Sequence, residues 1–380
     1  MKIGVLKEHA PGENRVALSP AAATRFSKAG FETMIEAGAG SAAGFADEAY
    51  TAQGVAIQDR QAILREADIL LCVRPPEAAE LAGVKPGARL IGGLAPYADR
   101  DRITAYAQLG VEAMALELLP RTTRAQSMDI LSSQANLAGY YAAVRGAGLL
   151  NRCLPMMTTA AGVIPAAKAF VMGVGVAGLQ AIATARRLGA IVSATDVRPE
   201  VREQILSLGA KPIFEDIREG DEITKAAGGY AGEMSEGYRA RQAALVSGHI
   251  ANQDIVITTA LIPGRPAPRL VSDEQLATMK PGSVVVDLAA ENGGNVEGVV
   301  AGESVVRHGV TIVGLVNGAS YLSLDASNLF ARNCYNFIEA YWDAKARTLA
   351  MPADDQLIEA VTLTRDGAVV HPRFAPVPAA

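Results

Sequence analysis

The residues with the clearest chemical signal are three glycines in the pattern G-x-G-x-x-G, at Gly173, Gly175 and Gly178. They follow the apolar run AKAFVM and open a helical pattern that begins at Val176. In that context the first glycine permits a tight turn, the second lets the backbone approach a pyrophosphate, and the third lets the helix pack closely on the strand. The start of the helix, with its unpaired N–H groups and its dipole, favours an anion. The spacing predicts a dinucleotide-binding loop, with an ordinary tight turn as the alternative.

An acidic residue ends the next apolar run, AIVSAT. Asp196 lies 23 residues after Gly173. A carboxylate at this place can accept hydrogen bonds from both ribose hydroxyls of an adenosine, and it repels a 2′-phosphate. The sequence therefore predicts NAD(H), rather than NADP(H), as the cofactor. Val197 and Arg198 follow directly, and the guanidinium of Arg198 weakens this preference to the extent that it attracts a phosphate.

A second set of polar residues, RTTRAQSMD, stands between the two halves of the chain. Gln126, Asp129 and Ser132 follow one another at intervals of three residues, so on a helix they would share one face. Arg121 and Arg124 precede them. A helical pattern over about 126–150 puts these residues at its beginning. They are candidate site residues, and a capped, solvated helix start is the alternative interpretation.

A glycine-rich stretch, Ala226–Gly237, contains Tyr230 and Met234. Its composition is typical of a loop, and loops on a rigid scaffold often carry binding residues. We consider a mobile loop that carries site residues and a plain connecting loop as the two interpretations of this stretch.

The composition excludes several classes of protein. Half of the 380 residues are hydrophobic, so the chain can bury sizeable cores, and its formal charge is -5. A nucleic-acid binder would need a basic face to neutralise phosphates. The four histidines and three cysteines show no spacing typical of metal ligands or of a disulfide framework. We therefore predict neither nucleic acid nor metal as a ligand, and a reducing cytoplasm as the setting.

The chain shows no segment that predicts export or a membrane span. The N-terminus, MKIGVLKEHAPGENR, is charged from its second residue and has no apolar signal core. The most apolar stretch, Ala169–Ala185, is short for a spanning helix and breaks into a strand followed by a helix. We expect a protein without a direct membrane span.

Apolar runs alternate with helical patterns in two series, which predicts mostly parallel sheets covered by helices on both faces. In the first series Ser19 and Pro20 are the expected N-cap and first helical residue, and Gly30 follows the end of that helix. The predicted strands are Lys2–Leu6, Glu32–Glu36, Ile69–Val73, Arg89–Gly92 and Ala113–Glu117 in the first series, and Ala169–Met172, Ala190–Thr195, Asp254–Thr258, Ser283–Leu288 and Thr311–Leu315 in the second.

The predicted fold class is α/β, with two Rossmann-like domains and a cofactor cleft between them. A last helix, predicted over Asp325–Ala346, returns the chain to the first domain, which is therefore discontinuous. We predict a first domain of residues 1–130 plus 325–380. Residues 131–324 form the NAD-binding Rossmann domain, including the helix that links the two.

Several long segments resemble one family, the proton-translocating nicotinamide nucleotide transhydrogenases. The segments are RTTRAQSMDILSSQANLAGY, FVMGVGVAGLQAIATARRLGA, TTALIPG and VVVDLAAENGGN. The match is to the soluble NAD(H)-binding domain of the alpha subunit, and it also takes in the opening KEHAPGENRVALSP and the closing TRDGAVVHP. The element Arg-x-x-x-x-Gln-x-x-Asp is far more specific than the glycine motif.

The resemblance implies roles for particular residues. Those that would orient the dihydronicotinamide are Arg121, Gln126, Asp129 and Ser132. Asp196 would hold the adenosine ribose, and Tyr230 and Met234 would lie on a loop that closes over the nucleotide. The family also places the TTALIPG segment, here Thr258–Gly264, near the cofactor, which makes candidates of Thr259, Ala260 and Leu261.

The resemblance also implies partners. The chain is similar to the split form of the enzyme, in which the NAD(H)-binding part is a separate subunit without membrane helices. An NADP(H)-binding beta subunit and a membrane-spanning subunit would then complete the enzyme. We expect a homodimer that is peripheral at the cytoplasmic face of the inner membrane.

Two other functions compete with this one. Alanine dehydrogenase, a relative, binds pyruvate with an Arg, a Lys and a catalytic His, and the matching positions here are Arg15, Arg74 and Gly93. Gly93 has no side chain to donate the proton that a keto acid needs on reduction. Hydride transfer between two nicotinamide rings leaves no alkoxide, so it needs no acid. The second alternative is a non-catalytic subunit that only senses NAD or serves assembly.

Overall fold

The computed structural model describes residues 1–216, 235–262 and 264–375. The chain forms two compact units. The first unit comprises Met1–Gln134 and Ser320–Ala380, and the second unit comprises Ala135–Ala319.

The first unit contains a sheet of parallel strands in the order β3-β2-β1-β4-β5-β6. This order reverses between β1 and β4, where the connections leave in opposite directions, as in a doubly wound fold. The strands are β1 (Lys2–Val5), β2 (Glu32–Glu36), β3 (Ala56–Gln58), β4 (Ile69–Cys72), β5 (Arg89–Gly92) and β6 (Glu112–Ala115).

Helices cover this sheet, and the first of them carries the predicted boundary residues at its two ends. Ser19 accepts a hydrogen bond from the N–H of Ala22 and caps the first helix, with Pro20 at its first position. Gly30 follows that helix with a φ of 92°, so both predicted boundary signals are confirmed. The helices are α1 (Pro20–Lys28), α2 (Asp47–Thr51), α3 (Arg60–Glu66), α4 (Arg100–Gln108) and the start of α5 (Ile130–Leu149).

The second unit contains a sheet in the order β11-β10-β9-β12-β13-β15-β14. All neighbours pair in parallel except β14, which runs antiparallel to β15. The sheet strands are β9 (Lys168–Met172), β10 (Ile191–Thr195), β11 (Lys211–Pro212), β12 (Ile255–Thr258), β13 (Val284–Asp287), β14 (Ser304–Arg307) and β15 (Val310–Gly314), and a separate hairpin consists of β7 (Met157–Thr159) and β8 (Gly162–Ile164).

The strands at the middle of this sheet are buried on both faces, as their unbroken apolar runs predict. The reversal of strand order lies between β9 and β12, so the segments that follow these strands are neighbours at the carboxyl edge. The rest of α5 belongs to this unit, together with α6 (Val176–Arg187), α7 (Arg202–Ser207), α8 (Glu236–Ile250) and α9 (Asp273–Thr278).

The chain then returns to the first unit. One face of α10 buries Phe330, Cys334 and Phe337 in the core of that unit. The elements of this return are α10 (Ser323–Glu339), β16 (Trp342–Asp343), β17 (Thr348–Leu349), α11 (Gln356–Val361), β18 (Thr364–Arg365) and β19 (Ala368–Val369).

The predicted α/β class with mostly parallel sheets is confirmed, and all ten predicted strands are present with ends shifted by one or two residues at most. Two helix bounds were wrong. The helix predicted from position 126 begins at Ile130, because Asp129 caps it there. The helix predicted as far as Ala346 ends at Glu339, because Trp342 turns away to pack on Phe31 with 4.1 Å between ring centroids.

Candidate functional site

The glycine-rich loop after β9 has the backbone geometry that its sequence predicts. Gly173 has a φ of 98°, a value that side chains rarely permit. A Cβ at Gly178 would lie 1.9 Å from the carbonyl oxygen of Gly173. The first glycine therefore makes the turn, and the third lets α6 approach the strand end more closely than any other residue would allow.

The second glycine and the beginning of α6 leave room for a ligand. A Cβ at Gly175 would have no atom of the described chain within 4 Å. Gly175 is the N-cap of α6, and within the described residues no side chain caps this helix. The first N–H groups of a helix lack intrahelical partners and attract anions. This helix start therefore fits the pyrophosphate of the predicted cofactor.

Asp196 stands at the end of β10, where its carboxylate is already engaged. One oxygen accepts the N–H of Val174 at 2.6 Å, within the glycine-rich loop. The guanidinium of Arg198 donates to both carboxylate oxygens, at 2.9 and 3.1 Å. This ion pair raises the pKa of Arg198 above its ordinary value, mainly through its hydrogen bond to Asp196. Arg198 is thus bound to the same carboxylate that the sequence predicts to bind the adenosine ribose.

Three of the candidate cofactor residues expose apolar side chains in the second unit. Val176 lies in the first turn of α6, Val197 follows Asp196, and Leu261 is in the loop after β12. Their exposure leaves them accessible to a ligand, and their contact with a dinucleotide stays a prediction.

The loop after β12 is bonded to the glycine-rich loop. The hydroxyl of Thr259 donates to the carbonyl oxygen of Gly173 at 2.9 Å. Ala260 is held through its backbone by the buried side chain of Asn295. Asn295 and its neighbour Asp287 were not predicted as functional residues. The segment VVVDLAAENGGN contains both, but no spacing rule singles out these two positions.

Helix α5 packs directly on α6 in the second unit. A Cβ at Gly139 would lie 2.0 Å from the carbonyl oxygen of Ala177. The side chain of Asn136, one turn earlier, donates to Gln180 at 3.3 Å. The glycine in the predicted helix therefore permits a close approach of two helix backbones, rather than interrupting α5.

The candidates Asp129 and Ser132 form the cap of α5. The carboxylate of Asp129 accepts the N–H of Ser132 at 2.9 Å and its hydroxyl at 2.5 Å. Gln126 lies in a preceding 3₁₀ turn, and its side chain is exposed. The prediction that these three residues share one helix face is wrong, because α5 begins only after Asp129. The geometry supports the capping interpretation of Asp129 and Ser132, and their role toward a nicotinamide stays a prediction.

The two arginines of the RTTRAQSMD segment differ in their surroundings. Arg124 forms an ion pair of 2.6 Å with Asp355. Desolvation opposes ionisation of that carboxyl, but hydrogen bonds from Arg124, Tyr341 and two backbone N–H groups together lower its pKa to about 2. The guanidinium of Arg124 also lies 5.2 Å from the ring centroid of Tyr341. Arg124 therefore fastens the segment to the C-terminal part of the first unit, whereas Arg121 is an exposed loop residue.

The positions that match the alanine dehydrogenase site are all in the first unit. Arg15 forms a buried ion pair of 2.6 Å with Glu13, and Arg74 contacts the same carboxylate at 3.3 Å. A Cβ at Gly93 would lie 2.5 Å from the carbonyl oxygen of Val73. Position 93 therefore lacks a proton donor, and its backbone leaves no space for one.

Tyr230 and Met234 lie outside the described residues. Their assignment to a loop over the nucleotide stays a prediction.

The family models match almost the whole chain. The model described as "Alanine dehydrogenase/PNT, N-terminal domain" matches residues 4–138, and the model described as "Alanine dehydrogenase/PNT, C-terminal domain" matches residues 142–372. The chain belongs to the alanine dehydrogenase/PNT family. This result agrees with the two doubly wound sheets and the glycine-rich loop.

Within the alanine dehydrogenase/PNT family, the chain is more similar to transhydrogenases than to alanine dehydrogenase. It is 49% identical over 378 residues to an NAD(P) transhydrogenase subunit alpha of Rhodospirillum rubrum, with 98% of each chain covered. A crystal structure of transhydrogenase from Sinorhizobium meliloti is 50% identical, with a TM-score of 0.89 over 97% of this chain and all of that one. Alanine dehydrogenase of Mycobacterium tuberculosis is 30% identical, with 78% of this chain and 75% of that protein covered. The resemblance to the transhydrogenases is thereby confirmed, and alanine dehydrogenase is the more distant relative.

Proposed function

We propose that this chain is the NAD(H)-binding subunit of a proton-translocating transhydrogenase, which passes hydride between NADH and NADP+ held by a partner subunit. The oxidoreductase class, as a transhydrogenase subunit, and NAD(H) as the cofactor are confirmed predictions. The observation that carries the proposed reaction is the absence of space for an acid at Gly93, together with the start of α6, which no side chain of the described residues caps.

The second unit binds the dinucleotide. The N–H groups at the start of α6 hold the pyrophosphate, and Gly175 lets it approach the backbone. Asp196, with Arg198 bound across it, faces the adenosine ribose. The exposed side chains of Val176 and Leu261 contact the adenosine half.

Residues of the first unit orient the dihydronicotinamide. When bound, this ring supplies the hydride from its C4 atom. Transfer to a second nicotinamide needs the two rings at near-attack distance with water excluded, and no proton donor. Arg121 and Gln126 are exposed polar side chains suited to the carboxamide. Asp129 and Ser132 present a rigid polar surface at the start of α5, because each fixes the other.

The partners follow from the same proposal. An NADP(H)-binding beta subunit supplies the second ring, and a membrane-spanning subunit couples transfer to proton movement at the cytoplasmic face of the inner membrane. Among the described residues, no helix is long and apolar enough to cross a membrane. The chain forms a homodimer, and the β7–β8 hairpin supports this part of the proposal, because it exposes a group of apolar side chains that a second copy could cover. These are Met156, Met157, Val163 and Ile164.

Single-turnover mixing tests the assignment of Arg121 and Asp129. We expect Arg121→Ala and Asp129→Ala to slow hydride transfer to the NADP+-loaded partner by about 10- to 100-fold, because the ring loses its alignment. The dissociation constant of NADH should change much less. Arg65→Ala is the matched control, since Arg65 is an exposed arginine of α3 in the same unit and lies outside this segment, and it should leave the transfer rate unchanged.

Three results would contradict the proposal. Equal transfer rates in the wild type and both variants would remove Arg121 and Asp129 from the site. Rapid oxidation of NADH by the isolated chain with pyruvate and ammonium would make it an alanine dehydrogenase. NADH binding without any hydride exchange, even with the loaded partner, would favour a non-catalytic NAD-sensing subunit.

A further inference from the structure

The glycine-rich loop is bound to the loop after β12 through the carbonyl oxygen of Gly173. The hydroxyl of Thr259, the first residue after β12, donates to this oxygen at 2.9 Å. A Cβ at Gly173 would lie 2.6 Å from the same hydroxyl and 3.2 Å from the nitrogen of Ala260. The position of the loop after β12 therefore decides whether the glycine-rich loop keeps its shape.

Asn295 holds that loop through both backbone groups of Ala260. Its side-chain oxygen accepts the N–H of Ala260 at 3.0 Å, and its amide group donates to the carbonyl oxygen of Ala260 at 2.9 Å. The same amide group donates to the carbonyl oxygen of Pro268 at 2.8 Å. The side chain of Asn295 is fully buried. It makes the hydrogen bonds to Ala260 that a neighbouring strand would make if β12 continued.

Asp287, at the end of β13, holds Asn295 in turn. Its buried carboxylate accepts the N–H groups of Ala289, Asn295 and Val296 at 2.8, 2.7 and 3.1 Å. The carbonyl oxygen of Asn295 accepts the N–H groups of Leu270 and Val271. The backbone of Asn295 is thus held at both its N–H and its carbonyl oxygen, and three further hydrogen bonds hold its side chain.

We infer that Asn295 is a positioning residue for NAD(H), acting through Ala260 and Thr259 on the glycine-rich loop. The inference rests on the proposed dinucleotide site. Asn295 is fully buried and its hydrogen bonds are made to protein backbone. Its effect on affinity therefore comes from the loop that it aligns.

Titration of the full chain with NADH tests this role. We expect Asn295→Ala to raise the dissociation constant by about 10-fold or more, because Ala260 loses two hydrogen bonds. Thr259→Val should raise it in the same direction. The double variant should lose less than the product of the two separate factors, because both act on one element.

A control separates positioning from a general loss of stability. Gln253 is a buried amide at the opposite end of β12, where it donates to the carbonyl oxygen of His249 at 2.8 Å. Gln253→Ala should lower the melting temperature of the chain but leave the dissociation constant of NADH unchanged. An equal loss of affinity in Gln253→Ala and Asn295→Ala would overturn the inference.

Asn295→Asp decides the question if the alanine variant does not fold. It keeps the shape and the acceptor for the Ala260 N–H but loses both donors, so we expect weaker NADH binding than in the wild type. Wild-type affinity in this variant would overturn the inference and leave the proposed function standing. Failure of the wild type itself to bind NADH would overturn the proposed function, and the inference with it.

Discussion

The two sheets have the same strand order around their reversal points, but the loops that follow their first strands carry different residues at one matching position. Counting from the end of the first strand, the third residue is Glu8 after β1 and Gly175 after β9. Gly175 leaves open space beside a helix start. Glu8 places a half-buried carboxyl group at the matching point, where it accepts the N–H groups of Val73 at 2.6 Å and Arg74 at 3.2 Å. Among the described residues, one reversal point is therefore open to a ligand anion, and the other is filled by a carboxyl group of the chain itself.

The surroundings of Glu8 extend this difference. Burial raises its pKa to about 7, with a further contribution from nearby Glu13. Glu13 in turn binds Arg15 and Arg74, so acidic side chains of the protein occupy both arginines that match the keto-acid site of alanine dehydrogenase. The shared topology produces a crevice at the strand-order reversal of each unit. The side chains that follow the first strand decide whether this crevice accepts an external anion.

The largest expected effect comes from placing a side chain in the second unit's loop. We expect Gly178→Val to raise the dissociation constant of NADH by at least about 100-fold, because the carbonyl oxygen of Gly173 occupies the position of the new Cβ. Calorimetric titration measures this change. Gly12→Ala is the control in the loop after β1. Gly12 has a φ of 73° and no atom within 4 Å of its Cβ position, so this variant should lose about 1 to 2 kcal/mol of stability and keep its NADH affinity. Wild-type affinity in Gly178→Val would remove the glycine-rich loop from the binding site.

A histidine at position 93 should not convert the first unit into a keto-acid site. We expect Gly93→His to cost about 3 kcal/mol of stability, because its Cβ meets the carbonyl oxygen of Val73. NADH oxidation with pyruvate and ammonium should stay at background. Gly93→Ala introduces the same Cβ without the imidazole and should lose a similar amount of stability. Pyruvate-dependent oxidation of NADH by the histidine variant would show that this site differs from that of alanine dehydrogenase only by a missing acid.

The filled crevice of the first unit predicts a particular pH dependence. Because folding raises the pKa of Glu8 from 4.5 to about 7, the folded chain binds more protons than the unfolded chain between these values. The stability contributed by Glu8 is therefore present at low pH and is lost as the pH rises through about 7. We expect Glu8→Gln to be about 2 kcal/mol more stable than the wild type at pH 8, with a much smaller difference at pH 5. Urea unfolding at the two pH values measures this difference. The same difference at both values would contradict the raised pKa, and the exposed Glu303→Gln should show no such change.

The smallest expected effect concerns cofactor selectivity in the second unit. Arg198 neutralises Asp196, so Arg198→Ala should strengthen the repulsion of a 2′-phosphate and lower NADP(H) affinity by about 5-fold relative to NAD(H). Asp196→Asn should change the ratio in the opposite direction. Paired titrations with NADH and NADPH measure it. Equal affinity of the wild type for both nucleotides would contradict the role given to Asp196.

The central strands and the glycine-rich loop were predictable because local sequence decides them. Unbroken apolar runs marked β9 and β12, and the glycine spacing with its flanking strand and helix marked the loop. The short edge strands β3 and β11 were missed, since two or three residues carry no periodicity and their pairing depends on a neighbouring strand.

The contacts that fix the site depend on residues far apart in the chain. Asn295 reaches Ala260 across 35 residues, and Arg124 reaches Asp355 across 231. Glu8 meets the N–H of Val73 across 65 residues. No local pattern encodes such a meeting, so the sequence located the candidate segments but could not show which of their side chains are already engaged within the protein.

One atom of the second unit has a consequence for how this sequence can vary. The carbonyl oxygen of Gly173 meets the backbone of Gly178 and the hydroxyl of Thr259. A substitution at any one of these positions changes what the other two can tolerate. We therefore expect descendants of this gene to exchange these residues together or to keep all three, so that their substitution histories are linked although the positions are separated by as many as 86 residues.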